Sequence, residues 1–145
     1  MKKYAMRTAA ASFFALAVGA GSASAATMTA TFQNMSSETQ TVTTSNYNDV
    51  YPTGQILAGG TGTGAYTTGT NPNVTANATY QGSSTRGCFF TAQAVYNSST
   101  GRYTFSSNAL SRGASGGSVA TCTSQITSRN TTTGDFSVTY RVSGF

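Results

Sequence analysis

The sequence predicts an all-β protein: a small antiparallel β-sandwich, immunoglobulin-like or similar, that is built from hairpins and pinned by one disulfide bond. Three observations support this prediction. After residue 25, residues common in strands dominate, leucine, glutamate and lysine are nearly absent, and no apolar stripe repeats every 3.6 positions. Several short segments alternate apolar and polar residues, as half-buried strands do. The chain has two cysteines, Cys88 and Cys122, and no histidine.

The first 25 residues have the three parts of a secretory signal peptide. The first seven include three basic residues, an apolar run follows at 9–19, and the small residues Ser22–Ala25 suit the cleavage site. The apolar run is too short to span a bilayer. We therefore expect removal of residues 1–25 and export of a bacterial protein to the periplasm, the cell surface or the medium. The remaining 120 of the 145 residues suit a single domain, 26–145, with no transmembrane span.

Charge in the mature chain is sparse. Five arginines and no lysine stand against three carboxylates, which gives a net charge of +2 spread singly along the sequence. Partners that carry many phosphates require clustered basic residues. This distribution argues against nucleic acid and against an anionic membrane surface as partners.

The mature N-terminus begins with a predicted strand. Met28, Ala30 and Phe32 alternate with threonines, so one face is apolar and the other polar. Further along, the stretch Gly59–Asn71 is too rich in glycine to pack well as a strand. We expect a long Gly/Thr-rich surface loop near 58–73.

An internal similarity predicts two β-hairpins in the second half of the chain. Residues 96–105 resemble residues 129–138, with Asn97 and Asn130 opening a short polar loop and Gly101 and Gly134 closing it. Asparagine followed by a glycine in the left-handed conformation is typical of such loops. The flanking segments alternate as strands do. Their apolar faces are Phe90, Ala92, Ala94 and Tyr96 before the first loop, and Phe136, Val138, Tyr140 and Val142 after the second.

The two cysteines occupy similar places in this repeat. Cys88 lies nine residues before Asn97, and Cys122 lies eight residues before Asn130, near the start of the first strand of each hairpin. In an exported protein a disulfide is favoured over a metal pair or a reactive thiol. We therefore predict a Cys88–Cys122 bond that joins one hairpin to the other.

The residues do not favour catalysis. General acid and base chemistry usually uses histidine, paired carboxylates or a lysine of lowered pKa, and the mature chain has neither histidine nor lysine. Its carboxylates number three, and no serine has an evident base to activate it. We therefore expect no enzymatic activity, no catalytic residues, no metal site and no cofactor.

Three functions remain open. The first is a binding module for a glycan or a host or surface protein. Its candidate surface consists of tyrosines, which offer amphipathic contacts: Tyr47, Tyr51, Tyr66, Tyr80 and Tyr103. The second is a structural subunit of a surface fibre or envelope layer, because uncharged strands invite self-association through their edges and Ala26–Met35 could serve as a donor strand. The third is a small membrane-active β toxin.

Overall fold

The computed structural model describes residues 25–47, 54–69, 71–113 and 119–145. The predicted signal peptide, apart from Ala25, and the candidate binding residue Tyr51 lie outside these ranges. Nine strands form the described part of the chain: β1 Thr27–Asn34, β2 Gln40–Ser45, β3 Gln55–Ile56, β4 Thr61–Thr67, β5 Val74–Gln81, β6 Gly87–Asn97, β7 Arg102–Arg112, β8 Thr121–Arg129 and β9 Phe136–Ser143. No helix of the described residues is long and apolar enough to cross a membrane.

The strands form two sheets that enclose one core, so the predicted all-β sandwich is confirmed. One sheet has the order β4-β1-β9-β8 and the other β3-β2-β5-β6-β7. The pairing is antiparallel with one exception, because β1 runs parallel to β9, with Phe32 opposite Tyr140. The sequence did not predict this parallel pair. Hairpin loops connect only antiparallel neighbours, whereas the first and last strands of the chain meet without any direct connection.

The core follows the predicted strand faces. Met28, Ala30 and Phe32 of β1 are buried, as are the alternating apolar residues of β9 and those of β6 except Tyr96, which is half-buried. The Phe32 ring lies at the centre, with centroid distances of 4.7 Å to Tyr80 and 5.1 Å to Tyr140. Phe90 stacks on Tyr140 at 4.5 Å and so joins the two sheets. Small residues such as Ala78, paired with Phe90, leave room for these rings.

The two predicted hairpins are confirmed, and their loops are built alike. The side-chain Oδ1 of Asn97 accepts a hydrogen bond from the Ser99 amide, at 2.9 Å, and Oδ1 of Asn130 accepts one from the Thr132 amide, at 3.0 Å. In each loop the closing glycine donates its N–H to the carbonyl of the opening asparagine, at 2.8 and 2.9 Å. Both glycines have positive φ, 65° and 84°. The repeated Asn–Gly chemistry therefore forms the same turn twice.

The disulfide bond joins the two sheets. Cys88 is the second residue of β6 and Cys122 the second residue of β8, and their Cα atoms are 5.8 Å apart. The predicted link between the two hairpins is thus confirmed. Because β6 and β8 belong to different sheets, the bond closes one end of the sandwich.

The predicted Gly/Thr-rich loop near 58–73 is interrupted by a strand. Residues 61–67 form β4, which pairs with β1 at the edge of the four-stranded sheet. The two glycines of β4 face inward and lie opposite larger residues of β1, with Gly62 beside Phe32 and Gly64 beside Ala30. Glycine weakens an isolated strand, but here the neighbouring strand supplies the packing that glycine lacks.

Candidate functional site

One end of the sandwich gathers five segments that are distant in sequence. These are the β1–β2 loop 35–39, the β3–β4 turn 57–60, the β5–β6 turn 82–86, the residues around 113 and 119 that flank β7 and β8, and the last residues 144–145. Because the Cys88–Cys122 bond lies here, we call this region the disulfide end. The opposite end carries the two Asn–Gly hairpin loops.

Glu38 joins the β1–β2 loop to the β5–β6 turn. Its Oε2 accepts hydrogen bonds from the Ser84 amide (3.0 Å), the Ser84 hydroxyl (2.8 Å) and the Ser83 hydroxyl (3.3 Å), while Oε1 contacts Nη2 of Arg86 at 3.2 Å. The Arg86 guanidinium lies 4.6 Å from the centre of the Phe145 ring. The Ser84 amide hydrogen bond, followed by that of the Ser84 hydroxyl, holds the pKa of Glu38 below its usual value. This arrangement favours the ionised carboxylate and fixes the turn between β5 and β6.

A shallow groove opens beside this turn, on the outer face of the five-stranded sheet. Its volume is about 500 Å³, and its lining is mostly hydroxyl, amide and guanidinium groups: Thr79, Tyr80, Gln81, Thr85, Ser111, Arg112 and Gly113. Gln81 and Arg112 lie on either side of Gly87, which pairs with both and has no side chain. A Cβ atom on Gly87 would overlap the carbonyl oxygen of Tyr80, so only glycine lets the backbones of β5 and β6 approach this closely between the two long polar side chains.

Arg112 is the dominant charge in this groove. Its guanidinium lies 5.3 Å from the centre of the Phe89 ring. Stacking on an aromatic ring suits a guanidinium and leaves its N–H groups directed to the sides. Among the described residues no carboxylate pairs with Arg112, because the only salt bridge between them joins Arg86 to Glu38. The groove can therefore offer a positioned cation to a carboxylate or phosphate group.

The four predicted tyrosines that lie within the described residues do not form an exposed surface. Tyr47, Tyr80 and Tyr103 are buried in the core, and Tyr66 is half-buried against it. Burial raises the pKa of the Tyr47 phenol, and it also raises the pKa of the Tyr103 phenol. These three tyrosines cannot serve as an exposed surface in this fold, because strand alternation places Tyr80 and Tyr103 on inward faces.

The sequence did not indicate the groove residues as a candidate site. The available signal in the sequence was the pair Phe89 and Val95, which gives the outer face of β6 some apolar character. The position of Arg112 opposite Gly87 depends on strand register, which the sequence left open. Arg112 was visible only as one of five scattered arginines.

The described carboxylates do not form a catalytic or metal-binding pair. Glu38 lies at the disulfide end, whereas Asp135 lies at the other end, where its Oδ1 accepts the Thr27 amide hydrogen bond at 2.8 Å. Asp49 lies outside the described ranges. Within those ranges no three histidine, cysteine, aspartate or glutamate residues cluster closely enough to hold a metal ion.

Fold and groove together define a class: a disulfide-linked β-sandwich with a shallow polar site at one end. Comparison with models of known protein families and with curated proteins finds no match. The residues of the site are therefore the guide to function.

Proposed function

We propose that this chain is an exported, non-enzymatic binding module that recognises an acidic glycan in the groove around Arg112. The observation that carries the proposal is the Arg112 guanidinium, stacked on Phe89 and without a carboxylate partner among the described residues. A carboxylate on a sugar could form paired hydrogen bonds with this group.

The surrounding side chains suit the rest of a sugar. Thr85 and Ser111 supply exposed hydroxyl groups, and Gln81 supplies an amide whose Nε2 donates to the Thr85 carbonyl at 3.2 Å. Such groups can exchange hydrogen bonds with the hydroxyls of a sugar ring. The groove is open rather than enclosed, which suits a segment of a polymer more than a small molecule held in a deep cavity.

The export part of the proposal rests on the signal-like residues 1–25 and on the disulfide. Disulfides persist in oxidising compartments, so the Cys88–Cys122 bond is consistent with a periplasmic or extracellular location.

Calorimetric titration with a uronic acid oligosaccharide tests the proposal, with the carboxyl-reduced neutral oligosaccharide as the comparison ligand. We expect binding of the acidic form, weaker in high salt, and a loss of about tenfold or more in affinity for Arg112→Gln, because the variant lacks one charged hydrogen-bonding group. Arg129→Gln removes an exposed arginine from β8 and serves as the matched control. Equal binding of the two oligosaccharides, or unchanged binding by Arg112→Gln, would overturn the proposal.

A structural subunit is the second candidate, and the edge of the four-stranded sheet favours it. Strand β4 is an edge strand of seven residues that has no charge and no proline. Charged residues and proline normally protect an edge strand from pairing with another chain. The predicted donor segment Ala26–Met35 is already largely inside its own sheet, since β1 lies between β4 and β9. Association would therefore use the β4 edge of a complete sheet.

Light scattering after size exclusion, over a wide concentration range, tests this second candidate, with electron microscopy of any large fraction. Growth into fibres that Ala65→Lys suppresses would support it, since Ala65 lies on the edge strand. Thr139→Lys, on the central strand β9, is the control and should leave the fibres intact. A monomer at all concentrations would exclude it.

A further inference from the structure

The exposed apolar side chains of the protein are concentrated at one end. Five large apolar residues are exposed among the described residues: Met35, Leu57, Val95, Leu110 and Val119. All except Val95 lie at or next to the disulfide end. We call Met35, Leu57, Leu110 and Val119 the apolar rim. Scattered apolar residues are ordinary on protein surfaces, but a group at one end marks an interaction site.

Two residues of the apolar rim are held on rigid backbone. Met35 is 63% exposed and Leu57 68% exposed. Between them lies buried Asn34, whose Nδ2 donates to the carbonyls of Ile56 (2.9 Å) and Leu57 (3.0 Å). The Met35 amide donates to the Val142 carbonyl at 2.8 Å, and the Leu57 carbonyl accepts from the Gly60 amide at 2.8 Å. The fold therefore presents both side chains to solvent from fixed positions.

Two arginines and one side-chain carboxylate lie beside the apolar rim. Arg86 and Arg112 lie at the same end, and each guanidinium is stacked on an aromatic ring, Phe145 or Phe89. Glu38 is the one side-chain carboxylate that the described residues place there, and it is already bonded to Arg86 and two serines, which leaves Arg112 as the arginine without a carboxylate partner among them. Apolar tips flanked by arginines and aromatic rings suit the boundary between lipid headgroups and acyl chains.

We propose that the apolar rim docks the protein on an anionic phospholipid surface, with Met35 and Leu57 entering the headgroup boundary and Arg112 facing the phosphates. This inference goes beyond the proposed glycan site because it rests on Met35 and Leu57, and it shares only Arg112 with that site. The sequence argued against an anionic membrane because the arginines are isolated along the chain. The fold brings two of them to the end that also carries the apolar tips, so neither charge nor apolar contact has to act alone.

The proposal is tested by co-sedimentation of the oxidised protein with vesicles of phosphatidylcholine alone and of phosphatidylcholine mixed with phosphatidylglycerol. We expect sedimentation with the mixed vesicles, reduced at high salt, and little with phosphatidylcholine alone. Met35→Ser combined with Leu57→Ser should lower the partition coefficient about tenfold or more, because two apolar contacts are lost. Val95→Ser removes an exposed apolar residue outside the apolar rim and should sediment as the unaltered protein does.

Three results would overturn the proposal: no sedimentation of the unaltered protein with the anionic vesicles, equal sedimentation of the Met35→Ser/Leu57→Ser variant, or a dimer that this variant dissociates without any vesicle binding. The last result would assign the apolar rim to a second copy of the chain. The variant should still bind the acidic oligosaccharide as the unaltered protein does, so the two proposals can fail separately. Circular dichroism confirms that each variant is folded.

Discussion

Gly134 lies directly against the ring of Tyr103. A Cβ atom on Gly134 would sit 2.7 Å from Cε1 and Cζ of that ring and 2.8 Å from Cβ of Ala26. The Tyr103 amide also donates to the Thr131 carbonyl at 2.8 Å. The loop of the second hairpin therefore rests on the first residues of β7, and the two hairpins are joined at this end by close packing as they are at the other end by the disulfide.

We predict that Gly134→Ala destabilises the protein more than Gly101→Ala does. Both glycines have positive φ, which costs an alanine about 1–2 kcal/mol. At Gly101 the nearest atom to an added Cβ is the Tyr96 hydroxyl at 3.9 Å, so the backbone cost stands alone there. At Gly134 the overlap with Tyr103 adds to it. Urea unfolding of both variants measures the difference, and equal losses of stability would contradict the prediction.

Replacing both cysteines by alanine should lower the melting temperature by on the order of 10 °C, since a native disulfide in a small domain contributes about 2–5 kcal/mol. Alanine is preferable to serine because Cys88 is fully buried, and a hydroxyl there would be desolvated. Differential scanning calorimetry measures the shift, and intact mass of the unaltered protein verifies that the bond is formed. An unchanged melting temperature would mean that the unfolded chain is already restricted between these residues.

The sequence predicted the hairpins because their information is local. Asn97 with Gly101, and Asn130 with Gly134, specify their loops within five residues, and the alternating segments on either side specify the inward faces. Strand β4 was not predictable in the same way. Its glycines fit a strand only because they pack beside Phe32 and Ala30 of β1, which are about thirty residues away in sequence.

The candidate site was harder to predict than the fold for a related reason. An amphipathic tyrosine can lie in the core or at a surface. Which of the two it does depends on the face of the strand that carries it, and this changes with every residue. The groove depends on Gln81, Gly87 and Arg112 sharing one row across three strands. That row is set by the register of long-range pairing, which no local pattern specifies.

Alkaline titration should show that two buried tyrosines ionise only as the protein unfolds. Burial raises the pKa of Tyr47 and of Tyr140 above the ordinary value of 10.0. A raised pKa means that the folded state favours the neutral phenol, so this contribution to stability is complete below pH 10.0 and is lost as the pH rises further. Tyrosinate absorbance and circular dichroism are followed together as the pH rises. The last rise in tyrosinate absorbance should coincide with the loss of the native circular dichroism spectrum. Complete ionisation of every tyrosine with the native circular dichroism spectrum intact would refute this.

Glu38 should make the protein sensitive to acid at one end of its fold. The Ser84 amide, followed by the Ser84 hydroxyl, lowers the pKa of Glu38 below 4.5, the value expected in the unfolded chain. Stability from this carboxylate is therefore present above pH 4.5 and is lost as the pH falls through the lowered pKa. Between pH 5 and 8 we expect a nearly flat profile, since the chain has no histidine.

Two variants isolate this contribution in urea unfolding measured across acid pH. Glu38→Gln should be less stable at neutral pH and should lack the acid-dependent loss, because the amide cannot titrate. Ser84→Ala keeps the backbone N–H donor but removes the hydroxyl donor, so its acid loss should begin at a higher pH than in the unaltered protein. If Glu38→Gln shows the same acid profile as the unaltered protein, another group controls the acid response. The turn at 82–86 would then be held by its own backbone hydrogen bonds, such as that from the Gly82 amide to the Arg86 carbonyl at 2.8 Å.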